Sequence, residues 1–262
     1  MDKEQSQQKS RSDYASPPIV EAVFGITFQP IDGLKIPHYG LFWNLIKAEL
    51  PSCEHASPIV SPDQPISVGF EGLPLPRIWY ISEDGARLLQ VQGDRLLFNW
   101  RQMADESYPR FESIYQTFIH YFEMFNQFLI DNELPPVQVI STHLAYINHI
   151  RGEIEGKEIC EKDIFKEASQ EESPLKFLQS KSASNWQRIY PFDEKNLHLI
   201  SQLQQGRSKI DHKTVYNLEL KAESLSKPES LSSWFDNAHE VIINGFDDLT
   251  TDDAQQKLWG RE

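Results

Sequence analysis

Cysteine is scarce in this sequence, and no part of it is long and apolar. The two cysteines, Cys53 and Cys160, stand alone in their segments, and no CxxC pair occurs. Zinc ribbons, thiol redox motifs and a disulfide framework are therefore not indicated, and a reducing compartment is expected. No apolar stretch approaches the roughly 20 residues that a membrane-spanning helix needs.

Residues 1 to 16 lack the apolar core of a signal peptide. Their polar composition predicts a disordered lead-in that ends at Pro17 and Pro18. We therefore expect a cytoplasmic protein without membrane contact.

The short motifs that mark common enzymes are missing as well. The sequence contains no GxxxxGK[ST] phosphate loop, no GxGxxG, no GxSxG, no HExxH and no paired-aspartate calcium loop. Neither a cofactor nor a metal is expected, and an enzyme is not favoured. A catalytic triad assembled in space from distant residues stays open, because such residues need share no local motif.

Basic residues are outnumbered by acidic ones. The chain has 25 Lys and Arg against 39 Asp and Glu, for a formal net charge of -14. Ten of these net negative charges lie in residues 151 to 175 and 223 to 262. This field repels phosphate backbones and disfavours nucleic acid, whereas it suits docking onto a basic partner. The rest of the chain is nearly balanced, so a local basic surface stays open.

Apolar spacings outline two halves with the same order of elements. The first half is predicted to contain a strand (19 to 28), a helix opened by Pro37, three strands joined by Gly/Asp turns (77 to 102) and a long helix (108 to 131). The buried side of the first helix is predicted to carry Leu41 and Leu45, with Trp43 and Ile46 as further candidates. The second is predicted to contain a strand (137 to 150), a short helical segment (159 to 168), three strands (184 to 192, 196 to 204 and 214 to 224) and a final helix through residues 234 to 260, with Thr250 or Thr251 as a cap.

This order predicts an α+β fold with antiparallel sheets and long helices packed on one face. The predicted organisation is a lead-in (1 to 16) and two pseudo-repeated halves, 17 to 134 and 135 to 262, which share a core. Whether the halves form one sheet or two stays open.

Four segments occur in an order that resembles a known family. They are PPIVEAVF, RLLFNWRQ followed by YPRFESI, AYINHI, and NAHEVIINGFDDLTTDDAQQKLWG at the end. Together they resemble a sporadically distributed prokaryotic family of uncharacterised proteins of about this length, over nearly the whole chain after residue 16. The resemblance brings no catalytic residues with it. The sporadic distribution is similar to that of anti-phage defence genes, which implies such a setting.

Glu21 and two histidines are the titratable groups that stand out on predicted strands. Glu21 is either a buried carboxylate that serves as a general base or metal ligand, or a structural carboxylate, which is the favoured interpretation. A structural Glu21 would lie on the solvent face of a half-buried strand or pair with an arginine across the sheet. His143 and His149 lie six residues apart on one strand face, so about 20 Å separates them and one metal ion cannot bind both.

Arginines and aromatic residues are interleaved in the first predicted meander. The candidates for contact with a ligand or nucleic acid are Arg77, Arg87, Arg95, Trp100 and Arg101. Exposed arginines beside aromatic rings can grip phosphates and stack bases. Packing within the sheet is the alternative that alternation favours.

The acidic C-terminal segment is a candidate for docking onto a partner protein. The residues concerned are Phe246, Asp247, Asp248, Asp252, Asp253 and Trp259. An apolar anchor with an acidic rim would suit a basic partner, while a solvated amphipathic helix is the plainer interpretation.

We expect a non-catalytic binding or adaptor subunit of a prokaryotic multi-protein system, with anti-phage defence as the setting. Its partner is expected to be another protein encoded nearby, and a homo-oligomer stays open. The alternative is a sensor that binds a nucleotide or single-stranded nucleic acid on the arginine-aromatic meander. A hydrolase whose site is assembled from Glu21 and a histidine is the third hypothesis.

Overall fold

A computed structural model describes residues 14 to 60, 75 to 103, 107 to 169, 183 to 209 and 211 to 261. Most of the predicted lead-in therefore lies outside the described residues. Within the described part, no helix is both long and apolar enough to cross a membrane.

Nine strands of the described chain form one antiparallel sheet in the order β2-β3-β4-β5-β1-β6-β11-β10-β9. They are β1 (Ile19–Phe28), β2 (Ser52–Ala56), β3 (Arg77–Ile81), β4 (Arg87–Gln92), β5 (Arg95–Arg101), β6 (Val139–Ile150), β9 (Asn185–Phe192), β10 (Leu197–Arg207) and β11 (Thr214–Ser224). A small separate hairpin consists of β7 (Glu153–Ile154) and β8 (Lys157–Glu158). The predicted strands of both halves thus form one continuous sheet and not two.

Five α-helices accompany the sheet in the described residues. They are α1 (Ile36–Ile46), α2 (Phe111–Asp131), α3 (Glu161–Ile164), α4 (Leu231–Leu249) and α5 (Asp252–Lys257), with 3-10 turns at Lys166–Ser169 and Asp193–Lys195. The predicted final helix is therefore two helices, because the chain leaves helical geometry at Thr250 and Thr251.

The two halves meet where β1 pairs with β6. The apolar alternation of β1 places Phe24 opposite Phe98 of β5 on one side and Leu144 of β6 on the other. Outward from this centre the strands run β1-β5-β4-β3 in one direction and β6-β11-β10-β9 in the other. The sheet is continuous across the boundary, and the internal repeat and the division into halves stay predictions.

The long helices cover one face of the sheet, which confirms the predicted α+β class. The ring of Phe24 lies 5.6 Å from Phe118 of α2 and 5.5 Å from Phe235 of α4, measured between centroids. Phe24, Phe118 and Phe235 are fully buried, so the core is centred beneath both helices. Burying large aromatic side chains in this way supplies much of the free energy of folding.

The opposite face of the sheet carries none of these long helices, and we call it the open face. Pairing register assigns to it alternate residues of every strand, among them Glu21, Asn99, His143, His149, Asn217 and Glu219. Polar residues predominate here, and several of them, including Gln90, Arg95 and Asn99, are buried.

Candidate functional site

The predicted arginine-aromatic set is divided between the two faces of the sheet. Trp100 is 5% exposed and lies on the helix-covered face, where Arg87 is its neighbour in the register. Arg77, Arg95 and Arg101 belong to the open face.

Each of these four arginines also has a contact within the protein. The Arg95 guanidinium pairs with Asp94 at 2.9 Å, and Arg87 lies 4.0 Å from Glu49. Arg101 donates from Nη2 to the carbonyl oxygen of Gly85 at 2.7 Å. Arg77 lies over the ring of Trp79. The five residues do not form one surface, and contact with a ligand through them stays a prediction.

The C-terminal docking candidates are part buried and part exposed. Phe246 and Trp259 are buried against each other and against Tyr14. Asp247 is buried and accepts a hydrogen bond from the Tyr14 hydroxyl. Asp248, Asp252 and Asp253 are exposed. Docking through this segment stays a prediction, and its exposed carboxylates also have contacts within the protein, such as the salt bridge of Asp253 with Lys257.

Glu21 lies on the open face in a chain of amide hydrogen bonds. The Asn99 side chain donates to Glu21 Oε1 at 2.6 Å, and Gln90 donates to Asn99 Oδ1 at 2.7 Å. The carboxylate is thus held by an amide, and the predicted arginine partner was one of two structural alternatives for it.

His143 and His149 both lie on the open face of β6, as their spacing predicts. The His143 imidazole occupies the space over Gly25, where a side chain would otherwise stand. Burial there, with Lys221 nearby, lowers the pKa of His143 to about 3, although Glu223 opposes the shift. No group of three His, Cys, Asp or Glu residues in the described chain could hold a metal ion.

A cleft of about 540 Å³ lies at one end of the open face. Five strands or their flanks build it: the start of β1, the ends of β5, β6 and β10, and the start of β11. Its polar lining residues are Gln102, His149, Arg151, Gln204, Gln205, Arg207, Ser208 and Asn217. This volume lies within the range of roughly 300–1,000 Å³ that is usual for small-molecule sites.

The cleft is basic although the protein is acidic. Arg151 and Arg207 are exposed, and their guanidinium groups form no salt bridge or hydrogen bond with other described residues. Among the described residues that line the cleft, none is an aspartate or glutamate. Guanidinium groups with free donors bind carboxylates and phosphates through paired hydrogen bonds.

His149 is affected by charges of both signs, from Arg151 in the cleft and from Glu21. Desolvation and the neighbouring Arg151 lower the pKa of His149, while Glu21 opposes them. The neutral imidazole offers one donor and one acceptor to a ligand.

Two acceptors on β11 have no hydrogen-bonding partner. Asn217 is paired in register with His149, and its Oδ1 atom is buried without a hydrogen bond in the described structure. Glu219 follows two residues later on the same face and, among the residues described, forms no salt bridge. Burial raises the pKa of Glu219, and Glu21 and Glu223 add to the rise, while Lys221 opposes it.

Sequence reasoning did not identify Arg151, Arg207, Asn217 or Glu219. A weak signal was present, because each arginine stands at the end of a strand beside a glycine, Gly152 or Gly206. The two arginines are separated by 55 residues, and only the pairing of β6, β11 and β10 brings them to the same cleft.

Comparison of the chain with protein-family models, with curated proteins and with solved structures finds no match.

Proposed function

We propose that this is a non-catalytic binding protein, and that its ligand is a small phosphate-bearing molecule of nucleotide size held in the cleft. The observation that carries the proposal is that Arg151 and Arg207 both line the cleft and form no salt bridge with the described residues, and that none of the described lining residues is a carboxylate. An acidic protein that leaves two arginines of one cleft without such salt bridges forgoes pairing that its surplus of carboxylates could supply.

A small ligand fits the cleft better than a nucleic-acid strand does. Single strands bind to basic grooves in which successive bases stack on aromatic rings. In the described part of the chain, the residues that line this cleft include no Phe, Tyr or Trp. The net charge of -14 also opposes a long phosphate backbone more strongly than it opposes one nucleotide.

Isothermal titration calorimetry with ATP, GTP and inorganic tripolyphosphate tests the proposal. We expect at least one of the three to bind the purified protein, and the double variant Arg151→Ala/Arg207→Ala to lose about tenfold or more in affinity, since each charged hydrogen bond contributes about 1.5–3 kcal/mol. Arg188→Ala is the matched control, because Arg188 is paired with Glu167 and does not line the cleft.

Failure of all three anions to bind would contradict the proposal. Equal loss of affinity in the Arg188→Ala control would show a general charge effect and would contradict the role of the cleft.

A partner protein is the second candidate, and the exposed side of α1 favours it. Leu41 and Leu45 lie one helical turn apart and are 49% and 56% exposed. Adjacent exposed leucines on one face of a helix are typical of a surface that a partner protein covers. Exposed Asp248, Asp252 and Asp253 provide a separate acidic surface for a basic partner.

A tagged pull-down from a prokaryotic host, with and without nuclease, tests the adaptor hypothesis. A stoichiometric protein partner that survives nuclease and is lost in Leu41→Glu/Leu45→Glu would support it. Retention of that partner by the double variant would contradict docking on α1. The prokaryotic and anti-phage setting rests on the sequence resemblance alone.

A further inference from the structure

We propose that the ligand of the cleft carries N–H donors beside its anionic group, as a guanine nucleotide does, and that Asn217 and Glu219 accept hydrogen bonds from them. This inference rests on the proposed function, and it adds which part of the ligand determines specificity.

The first observation is the vacant acceptor of Asn217. Its side-chain carbonyl oxygen is buried and accepts no hydrogen bond within the described residues. A buried polar atom without a partner costs about 1–3 kcal/mol of stability. Asn217 lines the cleft, so a ligand bound there could supply the missing donor.

The second observation is the carboxylate of Glu219, which lies just beyond the residues that line the cleft and forms no salt bridge with the described residues. It lies on the same face of β11 as Asn217, about 7 Å further along the strand. Its neighbours do not neutralise it: Lys221 pairs with Glu223 instead, and Glu21 is held by Asn99. A partly buried carboxylate in this state is poised to accept hydrogen bonds from a ligand.

The two acceptors and Arg151 are arranged along one direction on the same face. Arg151 follows His149, the register partner of Asn217, by two residues toward the start of β11, and Glu219 lies two residues from Asn217 in the other direction. The strand rise separates the arginine end from Glu219 by about 14 Å. A ligand lying along β11 therefore meets cationic donors at one end and acceptors at the other.

Guanine fits the acceptor end better than the other common bases do. Its ring N1–H and its exocyclic amine lie side by side, so one carboxylate can accept from both. The edge of uracil places carbonyl oxygens on both sides of its single N–H, and a carboxylate repels these oxygens. A site built around acceptors discriminates strongly against a ligand that cannot donate to them.

The test compares GTP, UTP and inorganic tripolyphosphate by isothermal titration calorimetry at fixed salt. We expect wild type to bind GTP at least about tenfold more tightly than UTP or tripolyphosphate. In Glu219→Gln, the preference for GTP over UTP should fall below about threefold, whereas affinity for tripolyphosphate should change by less than about twofold.

Glu223→Gln is the matched control, because Glu223 lies on the same strand and face but is paired with Lys221 and His198. It should keep the preference for GTP. The comparison of the three ligands on wild type decides the question even if a variant does not fold.

Equal binding of GTP, UTP and tripolyphosphate by wild type would overturn this inference while the anion-binding function stands. A preference for GTP that survives in Glu219→Gln would overturn the role of Glu219. Absence of binding by all three would overturn both proposals.

Discussion

At the scale of single residues, Gly25 and His143 form a pair that crosses two strands. The imidazole of His143 on β6 lies where a Cβ atom at position 25 of β1 would stand. The absence of a side chain at Gly25 is therefore a packing requirement of the open face, and the requirement is set by a residue 118 positions later in the sequence.

Replacing Gly25 with alanine should destabilise the protein. The new methyl group overlaps the His143 ring, and overpacking of this kind costs about 1–3 kcal/mol in the free energy of unfolding. Urea denaturation followed by circular dichroism measures the change. Gly40→Ala is the control: no atom lies within 4 Å of a Cβ there, and the helical position should gain stability by about 0.5–1 kcal/mol.

The double variant Gly25→Ala/His143→Ala separates the clash from other effects of the glycine. It should recover most of the stability lost in Gly25→Ala, because the obstructing ring is gone. Additive losses in the double variant would show that the ring is not the cause.

His143 should make the protein sensitive to mild acid. Its pKa is about 3 in the folded protein against about 6.5 in an unfolded chain, so the unfolded state binds the extra proton between these values. The free energy of unfolding should therefore fall as the pH drops below about 6.5, by up to about 1.4 kcal/mol per pH unit from this residue. In His143→Gln the decline between pH 6.5 and 4.5 should be shallower. Parallel stability profiles for wild type and variant would contradict the assignment.

The sequence predicted the sheet face on which a residue lies, but not the partner that the residue contacts. The alternation of β1 correctly placed Glu21 away from the apolar face, and the spacing of His143 and His149 correctly placed both on one face. The partner of Glu21 was not predictable, because Asn99 reaches it only through the pairing of β1 with β5. Hydrogen bonds across strands depend on register, which single-strand patterns do not encode.

At the scale of elements, the corner between α4 and α5 joins three parts of the chain. The Thr251 hydroxyl accepts a hydrogen bond from the backbone N–H of Ala254 at 3.2 Å and donates to the carbonyl oxygen of Asp163 at 2.6 Å. The backbone N–H of Thr251 also donates to Ile164. The prediction that Thr250 or Thr251 caps a last turn is confirmed for Thr251.

Loss of this cap should destabilise the C-terminal end of the protein. Thr251→Ala removes both hydroxyl hydrogen bonds and should lower the free energy of unfolding by about 0.5–2 kcal/mol. Hydrogen exchange should rise first in α5 and at Asp163. Thr251→Ser keeps the hydroxyl and should retain nearly all of the stability, and an equal loss in both variants would rule out the cap as the cause.

The long elements were predictable, and the short or marginal ones were not. The periodicity of residues 108 to 131 correctly predicted α2, because a long apolar stripe leaves little ambiguity. The strand β2 was missed, since its exposed residues 52 to 56 lack alternation and follow a proline. The prediction that Leu41 and Leu45 are buried was wrong, because α1 turns Tyr39 and Phe42 to the core together with Ile46, whose burial was predicted.

At the scale of the whole molecule, the aromatic core makes one unit of the two halves. Phe24 packs against Phe118 in the first half and Phe235 in the second, and β1 pairs with β6 across the boundary. Shared burial of this kind favours a single cooperative unfolding transition.

Phe24→Ala should weaken both halves together. The lost side chain should lower the free energy of unfolding by about 3–5 kcal/mol, because a large cavity opens beneath both helices. Hydrogen exchange followed by mass spectrometry should show the same decrease in protection for α2 and α4. Val23→Ala, the adjacent residue on the open face, should cost less. A decrease confined to one half would contradict the shared core.

The class of the fold was predictable from the sequence, but the cleft was not. Helical and alternating patterns suffice for an α+β protein with helices on one face. The order of the nine strands depends on contacts between distant segments. That order brings Arg151, Arg207 and Asn217 to the same cleft. No local sequence pattern predicts that these residues line one cleft, because their proximity follows from the pairing of the strands.

The central position of β1 also sets an order of events during synthesis. One edge of β1 pairs with β5, and the other edge pairs with β6. This second pairing can form only after β6 is synthesised, and β6 begins 111 residues after β1 ends. At about 5–20 residues per second, a ribosome needs roughly 6–20 s to make that stretch. During this interval the nascent chain presents an unpaired apolar strand edge, so slower translation between positions 28 and 139 should increase its dependence on chaperones.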